Sequence, residues 1–275
     1  MTERQIAAPY ELRRFFRLPF NRQLTFVTFR AADIRPLRNG WGASHSIHDG
    51  NNIWRKKMKV ESLDESTIQA IGHAFGYYDY GTERGLADAF PSQDATATYI
   101  CGYVRMALQS GLLHTTGPRG EGYIAYRLPG EKVGLKPLWQ LARGMFDAMN
   151  FRQIVNFFRI MVKGGQGLED RMKKEKKPYI FVGMVCVLEQ SQGQGYMRKL
   201  LDMAFAEGNR LHVPVILDTD AKSKCDKLPP PTNSEDFSGF HSIGSSGPSR
   251  CGRLVSAPTG GRVPFSLPLI KNHVR

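Results

Sequence analysis

Residues 179–218 constrain the fold of this chain more than any other stretch. An apolar run over 179–187 passes into a short polar turn at 188–192, then into two closely spaced glycines, Gly193 and Gly195. An amphipathic segment and a second apolar run over 213–217 follow. This order predicts a βαβ unit with its glycines at the first strand-to-helix corner. Met197, Leu200, Leu201, Ala204 and Phe205 fall at helical spacing on one face, while Arg198, Lys199, Asp202 and Glu207 take the other, and Gly208 stands where a C-cap belongs. One face of the helix is therefore expected in the core.

Glycines at such a corner let the backbone approach a ligand closely, and the helix behind them presents N–H groups and a partial positive charge. The arrangement suits phosphate, and spacing separates the ligand classes that use it. A P-loop requires Gly-Lys-Ser/Thr, and the chain has no such run. A dinucleotide fingerprint wants a small residue where Arg198 stands and a glycine directly off the strand, whereas five residues intervene here; only Asp218, ending the second run, suits that reading. Coenzyme A is the third class.

The run Val187-Leu188-Glu189-Gln190-Ser191-Gln192-Gly193-Gln194-Gly195-Tyr196-Met197 resembles the coenzyme-A-binding motif of the GNAT N-acetyltransferases, in which a valine-ended strand leads five residues later into Gln/Arg-x-x-Gly-x-Gly/Ala. The valine sets the register: Gln192 is the motif glutamine, Gly195 the first glycine, and Met197 departs from the final Gly/Ala. An alternative register through Gln190, Gly193 and Gly195 fits the glycines better and the strand worse. The resemblance implies an α+β (α/β) fold with antiparallel N-terminal strands and a splayed parallel pair. It implies acetyl-CoA as acyl donor, lying in the splay with its pantetheine arm against the backbone of Val185, Cys186 and Val187. Pyrophosphate would rest on the N–H groups of Gly193, Gln194, Gly195, Tyr196 and Met197, with the Gln192 side chain alongside. The implied reaction is acetyl transfer to a primary amine of a small-molecule or peptide acceptor, without a metal. Asp218, Asp220 and Tyr78 are the candidates for handling the proton, and none is singled out as the base.

Upstream, the elements expected are a short strand over 59–63, a helix capped by residues 64–66 with Ile68, Ile71, Ala74 and Phe75 inward, and a tyrosine-bearing loop (Tyr77, Tyr78, Tyr80). A second helix from Ser92 carries Tyr99, Ile100, Tyr103, Val104, Ala107 and Leu108 on one face and closes at Gly111. Residues 112–116 and 122–128 read as a hairpin. Two helical patterns, 138–149 and 151–162, form an insertion over 137–162, the second with Phe151, Ile154, Val155, Phe158 and Met161 in register. Residues 168–177 read as a charged, solvated segment.

The formal net charge of +13 is concentrated in the flanks. Residues 1–57 hold eleven Lys/Arg against four Asp/Glu, and residues 228–275 five against two. Neither flank interleaves aromatics as base stacking requires, which speaks against a nucleic-acid-binding protein. No run approaches a membrane span, and the four cysteines (Cys101, Cys186, Cys225, Cys251) lack metal-ligand spacing, so a cytoplasmic setting is expected. Residues 1–57 show no periodicity, and Met58 reads as the functional start. The acetyltransferase domain then covers 58–227.

Residues 228–275 contain seven Pro, six Gly and eight Ser, a disordered composition. The family's general-acid tyrosine falls at Leu228, and Pro229, Pro230 and Pro231 forbid a helix there. A frameshifted or truncated frame, impaired activity, and self-association through a bare strand edge at 213–217 are the expectations that follow. The alternative from another class is a noncatalytic coenzyme-A-binding or partner-binding module.

Overall fold

The computed structural model describes residues 58–81, 85–163 and 168–219, together with three strand segments at 26–28, 239–241 and 250–256. Among these the elements run β1 (Phe26–Thr28), β2 (Met58–Lys59), α1 (Glu65–Gly76), α2 (Gln93–Gln109), β3 (Leu113–Thr115), β4 (Gly122–Arg127), α3 (Leu135–Ala148), α4 (Phe151–Lys163), α5 (Leu168–Lys174), β5 (Ile180–Val187), α6 (Tyr196–Leu211), β6 (Val215–Thr219), β7 (Gly239–His241) and β8 (Arg250–Ser256). The helix starts are fixed locally. The Asp64 carboxylate accepts from the Thr67 N–H at 2.7 Å and the Ser92 hydroxyl from the Ala95 N–H at 3.1 Å, each meeting a donor that the helix cannot satisfy itself. Hydrogen bonds from the Ser66 hydroxyl and from Thr67 hold the Asp64 carboxyl down at about 2.

The fold is α+β, built on a mixed sheet whose central five strands run in the order β2-β3-β4-β5-β6. Its members are antiparallel from β2 to β5, and β5–β6 is parallel. Every residue of β5 is buried, so helices must cover both of its faces. On one face, α1, α2, α3 and α4 pack over Met184, Cys186 and the β3–β4 hairpin. On the other, Met197, Leu200, Leu201 and Ala204 of α6 pack against Ile180, Val182, Val185 and Val187.

The inward residues of β5 do not alternate evenly, because its pairing with β4 slips between Ala125↔Met184 and Tyr126↔Val182. Gly183 is the extra residue of this bulge, and a bulge bends and twists its strand. A glycine is required at this position: a Cβ would stand 2.2 Å from the hydroxyl of Tyr103, which reaches it from α2. The pairing of β6 with β5 stops at the same place, at Leu217↔Val182. Beyond Gly183 the two parallel strands separate.

Several expectations require correction. Residues 168–174 form α5, with Leu168 and Met172 packed on Phe181 and Ile216. Glu169 is buried there against Arg127, with Lys173 Nζ at 2.9 Å and the Tyr179 hydroxyl donating at 3.1 Å. Charge pattern hid this helix because one partner of its buried charge, Arg127, is distant in sequence. In α4 it is Ile154 and Phe157 that are buried, the latter packed on Phe90 and Tyr99, while Phe151 and Val155 are exposed. The helix of the βαβ unit runs past Gly208 to Leu211 and ends on His212 in a left-handed conformation.

The flanks also differ from expectation. Residues 26–28, in a region without periodicity, form β1 parallel to β5. β8 pairs antiparallel with β6 from Val215↔Ser256 to Thr219↔Cys251, and β7 pairs with β8 in turn. The sheet is therefore not truncated after β6, and the edge at 213–217 expected to be bare is covered from residue 215 onward. The run Arg250–Ser256 is capable of forming a strand, but the Pro/Gly/Ser average of its surroundings conceals it.

Loss of the Arg127 partner should leave Glu169 with only a partly exposed lysine as counter-ion. Arg127→Leu is expected to destabilise the fold by about 3 kcal/mol, and Arg127→Leu/Glu169→Leu by distinctly less, because the second change removes the uncompensated charge. Urea denaturation of both variants measures the difference. Equal losses would show that packing rather than charge governs this cluster.

Candidate functional site

The chain leaves the end of β5 through a 3-10 turn at Glu189–Ser191 and enters α6 across the glycine corner. Gly193 and Gly195 both have positive φ, 80° and 77°. Gly195 is the N-cap of α6 and has no side chain with which to cap it. A Cβ at Gly195 would meet no atom within 4 Å, so the corner opens outward. The left-handed backbone turns the chain there, and the positive end of the α6 dipole faces the opening.

Gln192 folds back over the strand end. Its Nε2 donates to the Val187 carbonyl at 3.2 Å, while its Oε1 is buried with no hydrogen-bond partner among the described residues. A buried acceptor in that state favours a ligand or solvent that brings an N–H or O–H. Gln194 Nε2 donates to the Gln190 carbonyl at 3.2 Å and steadies the preceding turn. Met197 departs from the small residue of the motif, yet it is buried in the α6 core cluster against the sheet. Its bulk therefore goes into the core rather than over the corner.

The structure adds residues that sequence reasoning did not select. The tip of the β3–β4 hairpin reaches the corner: the Leu188 N–H donates to the Glu121 carbonyl at 3.1 Å, and the Tyr196 hydroxyl to the Glu121 carboxylate at 3.3 Å. Arg119 Nε donates to the same carboxylate at 3.1 Å. Burial pushes the Glu121 carboxyl up, but its own backbone N–H and the Arg119 guanidinium outweigh this and hold it below the usual carboxylate range. Lys199 Nζ lies 4.5 Å from the Tyr196 ring centroid. Lys199 thus stands beside the corner over Tyr196, and Arg119 reaches the same place paired with Glu121. The hairpin carries no motif of its own, and only the β4–β5 register brings its tip here.

Val185, Cys186 and Val187 line the last turn-ward residues of β5, with one edge taken by Ile124, Tyr123 and Gly122. The Cys186 side chain is fully buried. No family model matches this chain, and no curated protein matches it. Asp218 lies on β6, its backbone opposite Gly252, and Asp220, Leu228 and the prolines after it fall outside the described residues. Tyr78 follows α1 and meets Tyr80 edge-on, ring centroids 4.9 Å apart. Neighbouring Tyr77 donates to Asp94 at 2.5 Å, which ties this loop to α2. Among the described residues no cluster of three His, Cys, Asp or Glu side chains could hold a metal ion, and no helix is long and apolar enough to cross a membrane.

Because Gly195 is left-handed but unobstructed, the two effects can be separated. Gly195→Ala should cost about 1 kcal/mol, from backbone strain alone. Thermal and urea denaturation test this, and an unchanged stability would mean that the corner relaxes out of the left-handed region.

Proposed function

We propose that this chain is an acyl-CoA-dependent N-acyltransferase of the GNAT type, moving an acetyl group from acetyl-CoA to a primary amine. The observation that carries the reading is the continuity of a strand edge with an anion corner. β5 parts from β6 at its bulge, and the same strand then leads through the Glu189–Ser191 turn to the uncapped, glycine-bearing start of α6. An extended amide-bearing arm ending in a pyrophosphate matches that sequence of surfaces. Its amide N–H groups and hydroxyl would meet acceptors such as the Gln192 Oε1, and its phosphates the corner with Lys199 beside it. The strand order, with an antiparallel pair beyond β6, also supports the reading.

The chemistry at the splay is acyl transfer without a covalent enzyme intermediate. A neutral amine nitrogen attacks the thioester carbonyl, the C–N bond forms, and the C–S bond breaks. The nitrogen loses a proton and the departing thiolate gains one. A backbone N–H on the β5 edge would polarise the carbonyl oxygen as charge develops on it. Asp218, on β6, and Asp220, two positions further along the sequence, are the candidates for receiving the amine proton. The position of the general acid is Leu228, which has no proton to donate, so slow turnover is part of the proposal.

Gly195→Glu tests it, since it places a carboxylate where the pyrophosphate would rest. Calorimetric titration with acetyl-CoA should show binding to the unsubstituted chain and a loss of at least tenfold in the variant, with folding retained apart from the left-handed strain. Release of free coenzyme A thiol in the presence of a panel of primary amines reads the turnover. Equal binding by the two folded proteins would remove the cofactor assignment, and binding without thiol release would assign a noncatalytic binding module instead.

A further inference from the structure

β1 lies on the part of β5 that the acyl donor would need. One edge of β5 is occupied at Met184, Val185 and Cys186 by Ala125, Ile124 and Tyr123 of β4. The parallel pairing of Phe26, Val27 and Thr28 with those same three residues therefore takes the opposite edge. That edge belongs to β6 lower down, at 180–182, before β6 departs toward β8. β6 and β1 thus follow one another along β5, the first up to the bulge and the second beyond it. β1 also packs beside α1.

There is a physical reason for a segment to sit there. Beyond Gly183 the backbone of β5 is buried but has lost β6, and unpaired buried N–H and C=O groups are costly. A short strand added from elsewhere in the chain satisfies them by β-augmentation. With three residues, β1 is at the lower limit of strand length, so its hold depends on few backbone hydrogen bonds. The same N–H and C=O groups cannot serve two occupants. We infer that the β5 edge at Met184–Cys186 is an exchangeable strand-acceptor slot, filled by the chain's own Phe26–Thr28 in the free protein and vacated for the extended arm of the acyl donor. The N-terminal segment is then an internal competitive inhibitor. This rests on the reading of the splay as the donor site; the slot itself does not.

The test uses the full chain. Successive N–H groups of a strand point to opposite edges, so Val27→Pro/Thr28→Pro removes whichever of the two faces β5. Amide hydrogen exchange should be slow across Met184–Cys186 in the unsubstituted protein and fast in the variant at the amides of that stretch that face away from β4, with those facing β4 and the amides of α6 unchanged as the control for folding. Coenzyme A should bind the variant more tightly; a segment docked about nine-tenths of the time predicts roughly a tenfold gain. A synthetic peptide of residues 22–32, added to the variant, should restore slow exchange at Met184–Cys186 and reverse the gain. If both proteins bind coenzyme A with equal affinity, the competition is overturned while the donor site stands. If neither binds it, the acyl-donor reading fails, and the peptide alone decides the slot: restored protection upholds it, and no effect removes it.

Discussion

β5 must find hydrogen-bond partners along both edges, because all eight of its residues are buried and solvent cannot substitute. β4 satisfies one edge over the full length from Phe181 to Val187. The other edge is divided, with β6 serving 180–182 and β1 serving 184–186. The division falls at the Gly183 bulge, where the β4 register slips and the Tyr103 hydroxyl occupies the space a side chain would need. A continuous parallel pair would have been an ordinary buried sheet with no room for a ligand. The bulge converts the same residues into an edge that can be shared.

The glycine corner gains its meaning from that edge. On its own, a helix N-terminus with two glycines suits many anions. Placed at the end of a strand whose far edge is held only by the three-residue β1, it suits, on the proposed reading, a ligand with both an extended arm and a charged end. The hairpin tip closes the arrangement through Glu121, which holds Tyr196, Arg119 and the backbone of Leu188 together. The folding of Met197 into the α6 core keeps its side chain out of the corner, so the departure from the small residue of the motif does not by itself obstruct a ligand.

Helical periodicity was the most legible signal. Met197, Leu200, Leu201 and Ala204 are buried as their spacing indicates, and Asp64 and Ser92 cap the helices they precede. Periodicity failed where the partner decided the face. In α4, the exposed Phe151 and Val155 satisfy a helical pattern as well as the buried Ile154 and Phe157, and contact with Phe90 and Tyr99 made the choice. α5 was invisible to charge patterning because Glu169 finds Arg127 across 42 positions of sequence.

What the sequence by itself determined about this protein is local: the βαβ order of residues 179–218, the glycines at its corner, the helix caps and the inward face of α6. Each depends on a dihedral preference or a spacing within a few residues, which the sequence carries directly. Only the tertiary structure decided where β5 bulges, which strand follows β6 along its edge, and which hairpin reaches the corner. Those outcomes depend on register, and register is set by backbone groups that are alike in every residue and that pair with chain far away in sequence. Val27 and Val185 could not be matched by composition or period; they were brought together because a buried backbone edge had to be satisfied.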